Sequence, residues 1–449
     1  MHQQNKKYVA KSRRGKRILV VNVSNPLSHG GAAIAISLLK NLRVVFPDAE
    51  VSLMTTRESD VFVYTEKYDF SRQSFVKHTW FRNKGSNSSS LFASFGPATG
   101  SLLSCVSYNF LSRLGMKSNN IYQDYDIVLD LSSDSLNEFY GAVYPLFSLF
   151  QLELALLCKK KVVVCPASIG PFKNKVMRSL VAHTLSKTDL VIARGAATVA
   201  FLRQVGVPKS KTHFAADLAF LFEPVSKDYA GKILASLSIP QDDRPLIGIA
   251  PSSEIYRYCF PNGTEPQAKY SDYVKLMADV TDFVIKKFDS EVLFIPHFVY
   301  PEEFVKNDKI ACRDICGQVK NKSHVKILLG DYRADEVKGV IGLCDMVVSC
   351  RMHAAIAAMS SGVPTVAVSF GQKFHSILGK TLGQGKCIVD TGTDYSKLLA
   401  DLKETVAYVW SDRASIRRDL NEKTLIAKQS ALSSFDKIKE ILDKANTDD

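Results

Sequence analysis

The chain has 449 residues, of which 46% are hydrophobic and 23% charged, a composition that excludes global disorder. Its length exceeds one ordinary core and points to two domains of roughly 150 to 220 residues each. The formal charge of +13 is not a nucleic-acid footprint. Lys6, Lys7, Lys11, Arg13, Arg14, Lys16 and Arg17 concentrate basic charge with no acid among them, and no aromatic platform or recognition motif accompanies them.

Residues 1–16 read as a basic flexible tail, with attraction to an anionic lipid or polymer surface as the alternative. The apolar run Ile18 to Val23 is too short for a signal-peptide core and reads as a first strand. The longest hydrophobic stretch, Ala142 to Cys158, is interrupted by Gln151 and Glu153 and is shorter than a membrane span. Neither signal peptide nor transmembrane helix is expected, and the location is cytoplasmic, with peripheral contact at the inner face of the membrane as a second option. Nine scattered cysteines read as reduced core thiols; Cys312 and Cys316 lie one helical turn apart without a second pair, so no metal is expected.

The first strand is followed by the loop Ser24 to Gly31, a helix from Ala32 to about Phe46 stopped by Pro47, and a strand Val51 to Thr55, the opening of a parallel sheet. Residues of about 83–120 break the alternation and read as a helical insertion; the alternative for Leu91 to Leu114 is a flap that touches membrane or acceptor. Strand Asp126 to Leu131, a helix from Tyr144, strand Lys161 to Cys165, a helix from Lys175 and strand Leu190 to Ala193 complete an N-terminal domain spanning 17–225. Residues 226–245 read as a helix plus linker. A second alternation over 246–400 holds strands at Leu246 to Ala250, Glu291 to Pro296, Val325 to Leu328, Met346 to Ser349 and Pro364 to Val368, and 401–449 is helical.

Two such units predict an α/β fold of two Rossmann-type domains whose parallel sheets face a central cleft. Ligands of open parallel sheets bind at the C-terminal ends of the strands, so residues just beyond those ends carry the chemistry. Ser349-Cys350-Arg351-Met352-His353 leads from an apolar strand into the Ala-rich helix closed by Gly362. That places Arg351 and His353 at a helix N-terminus, where backbone N–H groups and a guanidinium attract phosphate or carboxylate and an imidazole can move a proton. Arg194 follows a first-domain strand in the same way, and the two arginines suggest a clamp. Lys373, His375 and His297 are further anion donors at strand ends. Gly30 and Gly31 allow close backbone approach, while Asp130, Asp134 and Glu138 line another strand end as hydroxyl-binding groups. Neither G-x-G-x-x-G nor a Walker lysine is present.

With these residues located, the chain resembles the polysaccharide pyruvyl transferase family. The resemblance rests on the Ser349 to His353 block with Gly362, Pro364 and Lys373, on Ile169-Gly170-Pro171-Phe172, on Arg194, on the Asp217 segment, and on Ile295-Pro296-His297. It implies a GT-B-like architecture and transfer of an enolpyruvyl-derived unit from phosphoenolpyruvate, with no other cofactor, to a saccharide or lipid-linked saccharide of cell-envelope polysaccharide biosynthesis, giving a pyruvate ketal. By that analogy His353 is the general acid. Arg194 and Arg351 hold the donor, helped by Met352, Lys373 and His297, and Gly30, Gly31, Asp130, Asp134 and Glu138 fall on the acceptor side. The alternatives are a GT-B glycosyltransferase using a nucleotide sugar, marked by tight UDP or GDP binding, and a non-catalytic subunit of glycan assembly.

Overall fold

The computed structural model describes residues 15–23, 25–55, 63–68, 74–77, 121–138, 141–239, 244–261, 265–299 and 307–444. The basic tail up to residue 14 and the insertion expected at 83–120 lie outside the described residues.

The apolar, β-branched runs along the chain become strands β1 (Arg17–Val21), β2 (Glu50–Thr55), β3 (Ser74–Lys77), β4 (Ile127–Asp130), β5 (Lys161–Ala167), β6 (Leu190–Ala193) and β7 (Thr212–Phe214), followed by β8 (Leu246–Ala250), β9 (Glu291–Phe294), β10 (Val325–Ile327), β11 (Met346–Ser349), β12 (Thr365–Ser369) and β13 (Ile388–Asp390). They form two sheets, one of seven strands in the order β3-β2-β1-β4-β5-β6-β7 and one of six in the order β10-β9-β8-β11-β12-β13. Every pairing is parallel. Central strands such as β4, β8 and β11 are buried at every position, as strands covered by helices on both faces must be.

The strand order reverses between β1 and β4 in the first sheet and between β8 and β11 in the second. Loops leaving such neighbours run to opposite sides and leave a crevice, where open α/β sheets take ligands. The two crevices meet. Helix His29–Val45, which follows β1, brings Gly30 so close to His353 that an added Cβ would lie 2.5 Å from the imidazole ring. This helix starts three residues before the expected Ala32, because Ser28 caps it by accepting the Gly31 N–H at 3.3 Å.

One apolar cluster runs from Ile18 and Val20 of β1 through Leu218 and Phe220 to Val348 of β11 and Leu398. Helix Lys227–Ser236, expected within a linker, packs Ala230, Ile233 and Leu234 on the second sheet with Leu246, Leu293 and Val340. The 32-residue helix Arg413–Lys444 spans both halves: Ser430 Oγ accepts the Ala216 N–H at 3.1 Å, and Thr424 Oγ1 donates to the Met359 carbonyl at 3.4 Å. Among the described residues, no helix is long and apolar enough to cross a membrane.

Candidate active site

The turn from β11 into helix Met352–Ser360 is locked by one side chain. Ser349 Oγ donates to the Arg351 carbonyl at 2.8 Å and accepts the Arg351 N–H at 3.2 Å. The Arg351 guanidinium leaves that turn to meet Asp308 in a bidentate pair, Nε to Oδ2 at 3.0 Å and Nη2 to Oδ1 at 2.5 Å. Glu254 accepts from Nη1 at 3.4 Å, and the Phe298 ring lies beneath the guanidinium at 5.1 Å. Asp308 is fully buried and also accepts the N–H groups of Ser253 at 2.9 Å and Phe298 at 2.8 Å, so it fixes the β8 loop, the β9 loop and Arg351 together.

Arg194, just after β6, is fully buried. It donates to Asp217 at 2.5 Å, to Ser168 at 2.8 Å, to Ser133 at 3.0 Å, and to Asp134 in a close ion pair. The two arginines expected to form a clamp are thus each held by carboxylates. Each guanidinium is neutralised by its own carboxylates, because a buried cation without a counter-ion is several kcal/mol unfavourable. Lys373 reaches across to the same Asp134 at 3.0 Å and lies 5.2 Å from the Phe370 ring centroid.

His353 sits between these groups. Its ring rests on Gly30, and its Nε2 is 3.7 Å from Asp217 Oδ2, beyond hydrogen-bond range, so this buried nitrogen has no hydrogen-bond partner. Burial lowers the imidazole pKa below its usual value; Asp217 opposes this while Arg194 and Lys373 add to it. Burial alone would raise the Asp217 carboxyl, but Arg194, His353 and the Ala219 N–H outweigh it and hold that group well below the usual carboxylate range.

His297 is buried, with its ring edge-on to His29 at 5.3 Å, and burial followed by the charges of His29, His353 and Arg351 holds it well below the usual histidine value. His29, which the sequence reading left unassigned, interacts through Nε2 with the Tyr332 carbonyl at 3.3 Å, and burial lowers its pKa to about 4.

The residues expected on the acceptor side are divided by the structure. Asp134 belongs with Arg194 and Lys373. Gly30 makes room for an imidazole, and Gly31 serves the helix cap. Glu138 accepts the N–H groups of Lys173 and Asn174, both at 2.8 Å, and so supports the loop after β5. Asp130 is buried at the end of β4 under Asn22 and Ser132, each at 2.6 Å, and burial raises its pKa to about 6. Met352, expected near the donor, is a core side chain at 5% exposure. His375 lies on the other side of the β12 loop with Asp390 at 2.8 Å. Asp308 was invisible as a site residue because its role depends on partners at three distant positions; its one local signal is Asn307, which caps the helix that Asp308 begins. Among the described residues, no group of three or more His, Cys, Asp or Glu is placed to hold a metal ion.

The family model for polysaccharide pyruvyl transferase matches residues 29–371, from His29 to the glycine after Phe370. The chain belongs to the polysaccharide pyruvyl transferase family. The amylovoran biosynthesis protein AmsJ of Erwinia amylovora is 21% identical over 261 residues, which is 58% of this chain; the match spans only 60% of that curated relative's length. Among solved structures, Anabaena Alr3699/HepE in complex with UDP and glucose superposes with a TM-score of 0.56 at 15% identity, covering 96% of this pyruvyl transferase family member and 100% of that chain. The UDP-GlcNAc 2-epimerase from Neisseria meningitidis bound to UDP-GlcNAc gives 0.57 at 12% identity, covering 95% and 100%. These likenesses show the fold alone, which is GT-B-like.

Two outcomes follow from the burial of charge. Arg194→Met leaves Asp217 uncompensated and should lower unfolding stability by about 3–5 kcal/mol, measured by urea denaturation at pH 7, with part of the loss recovered in Arg194→Met/Asp217→Asn; a loss below about 1 kcal/mol would refute the buried-pair account. His29 is depressed in the folded state, so the unfolded chain binds more protons between about pH 4 and 6.5, and stability rises with pH across that window. The His29 share is about 3 kcal/mol. Because Asp130 titrates in the opposite sense, the readout is wild type minus His29→Asn, which should shrink as pH falls from 6.5 to 4.

Proposed function

We propose that the protein transfers a pyruvyl unit from phosphoenolpyruvate to two hydroxyls of a sugar, forming a ketal and releasing phosphate. The observation that carries this reading is the position of His353. Its imidazole is 19% exposed but its Nε2 is buried and has no hydrogen-bond partner, and the ring is set at a helix N-terminus near Arg194, Lys373 and Asp217.

The chemistry needs a proton delivered to a carbon beside a polyanion. His353 protonates the donor methylene carbon, the double-bond electrons form the new C–H bond, and C2 becomes oxocarbenium-like. One sugar hydroxyl adds to C2 and returns its proton to His353; a second hydroxyl then displaces phosphate, which leaves with the C–O bonding pair and takes up that hydroxyl's proton. Cations around the site stabilise that leaving charge as it grows. Asp217 and Asp308 are fully buried and stay as counter-ions, whereas Asp134 and Glu254 have side chains 18% and 17% exposed. The donor's anionic groups replace Asp134 at Lys373 and Glu254 at Arg351. Their charge raises the pKa of His353, so donor binding itself loads the acid.

The acceptor in this reading is a saccharide or lipid-linked saccharide of cell-envelope polysaccharide assembly, handled in the cytoplasm or at the inner face of the membrane. The family and the name of AmsJ support a polysaccharide context.

Calorimetric titration of phosphoenolpyruvate at pH 7, in buffers of different ionisation enthalpy, should show saturable binding with uptake of a fraction of a proton. Arg351→Ala should weaken that binding at least tenfold. His353→Asn should keep binding, abolish the uptake, and cut acceptor-dependent phosphate release by about 10²-fold or more. Full turnover in His353→Asn would remove the acid role. UDP or GDP binding in place of phosphoenolpyruvate would move the protein to nucleotide-sugar chemistry.

A further inference from the structure

Beside the anion-binding groups lies a cavity of about 590 Å³. Its walls are the short helix Tyr256–Cys259 after β8, with Arg257 and Tyr258, the segment after β12, with Phe370 and His375, and the end of β13, with Asp390 and Gly392. The volume is within the roughly 300–1,000 Å³ range of small-molecule sites. We propose that this cavity is a pyranose-binding subsite that receives a ring of the saccharide acceptor, a proposal that rests on the transferase reading above.

The lining matches a neutral, hydroxyl-rich ring better than an anion. Tyr258 and Phe370 are stacked, 5.2 Å between ring centroids at an interplanar angle of 11°, and both line the cavity, giving it an aromatic wall. The C–H face of a pyranose is apolar and its rim is polar, so it packs on an aromatic wall while its hydroxyls face outward. The same lining offers a donor, Arg257, and an acceptor, Asp390, which is fixed by His375 Nε2 at 2.8 Å. Each carboxylate oxygen has two lone pairs, so Asp390 keeps acceptor capacity for a hydroxyl after binding His375. A diphosphate needs concentrated positive charge, whereas here Asp390 opposes Arg257, the single Arg or Lys among the described residues that line the cavity.

Both walls continue into the reacting centre. Phe370 carries the Lys373 ammonium at 5.2 Å, and Lys373 binds Asp134. On the other side, the Arg257 N–H donates to the Glu254 carbonyl at 3.3 Å, and the Glu254 carboxylate contacts Arg351. A ring seated here is held by the same two loops that position the groups proposed to bind the donor. An acceptor subsite must meet that requirement if two hydroxyls are to reach one carbon.

The test is saturation-transfer NMR with the methyl pyranosides of galactose, glucose, mannose and N-acetylglucosamine at millimolar concentration. The full-length wild type, Asp390→Ala and Tyr258→Ala are compared, with phosphoenolpyruvate titrated into the same samples. At least one glycoside should give ring-proton signals that fall fivefold or more in both variants, with phosphoenolpyruvate affinity unchanged within twofold. Asp390 is exposed, so its variant reports even if Tyr258→Ala is poorly folded. No glycoside signal, signals unchanged in Asp390→Ala, or signals displaced by UDP would each overturn the subsite while leaving donor binding intact. Glycoside signals lost in the variants, together with no phosphoenolpyruvate binding by wild type, would leave the subsite standing and remove the donor assignment.

Discussion

Two helix N-termini, two guanidiniums and an ammonium converge where the imidazole of His353 rests on the backbone of Gly30. Each N-terminus adds about half a positive charge to the array. So much like charge in a partly dry crevice is stable only with carboxylates threaded through it, and Asp217, Asp308, Asp134 and Glu254 supply them. The rest of the site follows from this balance. The arginines lie in pairs with their own acids, the serines at 133, 168 and 253 complete their donor sets, and the histidines are left neutral.

The four acids are not equivalent. Asp217 accepts the Ala219 N–H and Asp308 accepts three loop N–H groups, so each is bound into the backbone as well as to its arginine. Removing either would leave its guanidinium with only a partly exposed carboxylate, Asp134 or Glu254, and a loosened loop. Asp134 and Glu254 meet solvent, and an ion pair partly open to water is weak enough to be exchanged. An anion with two charged ends fits a site with two exchangeable carboxylates and two fixed ones. In the free protein, the same arrangement keeps the cations oriented without a ligand, which is the preorganisation that electrostatic stabilisation of a leaving group requires.

Long periodic elements were legible in the sequence. Strands at Leu190 to Ala193 and Met346 to Ser349 have the bounds expected of them, and so, within a residue or two, do the helices near 144–157 and 175–186. The edge strands β3, β7 and β13 were not, because segments such as Thr212–Phe214 and Ile388–Asp390 are three residues long and gain their pairing from a neighbour, not from local pattern. Arg351, His353, Arg194 and Lys373 stood out because they fall within a few residues of apolar strand ends, the edge where parallel sheets bind ligands. Their partners did not stand out. Asp134 looked like a hydroxyl binder in a Ser-rich loop, and Glu138 looked like its neighbour. Only the fold shows that one bridges two cations and the other holds two backbone N–H groups 35 and 36 residues away.

The three histidines around the junction differ in how easily each gains a proton. His297 is held well below the usual value by burial and by three positively chargeable neighbours, with no carboxylate among the described residues pulling the other way. His29 lies at about 4, with Asp308 offering only a minor opposing pull. His353 is lowered too, but Asp217 stands 3.7 Å from its Nε2 and opposes the shift. A negative ligand arriving at Lys373 cancels one of the two charges that depress His353 and adds attraction of its own, so the proton that accompanies the anion goes to His353 first. By linkage, the imidazolium then strengthens the hold on that anion by the same free energy with which the anion raised its pKa. Burial of the other two rings thus has a consequence: they stay neutral and do not compete for the proton, which leaves His353 as the imidazole most responsive to a bound anion.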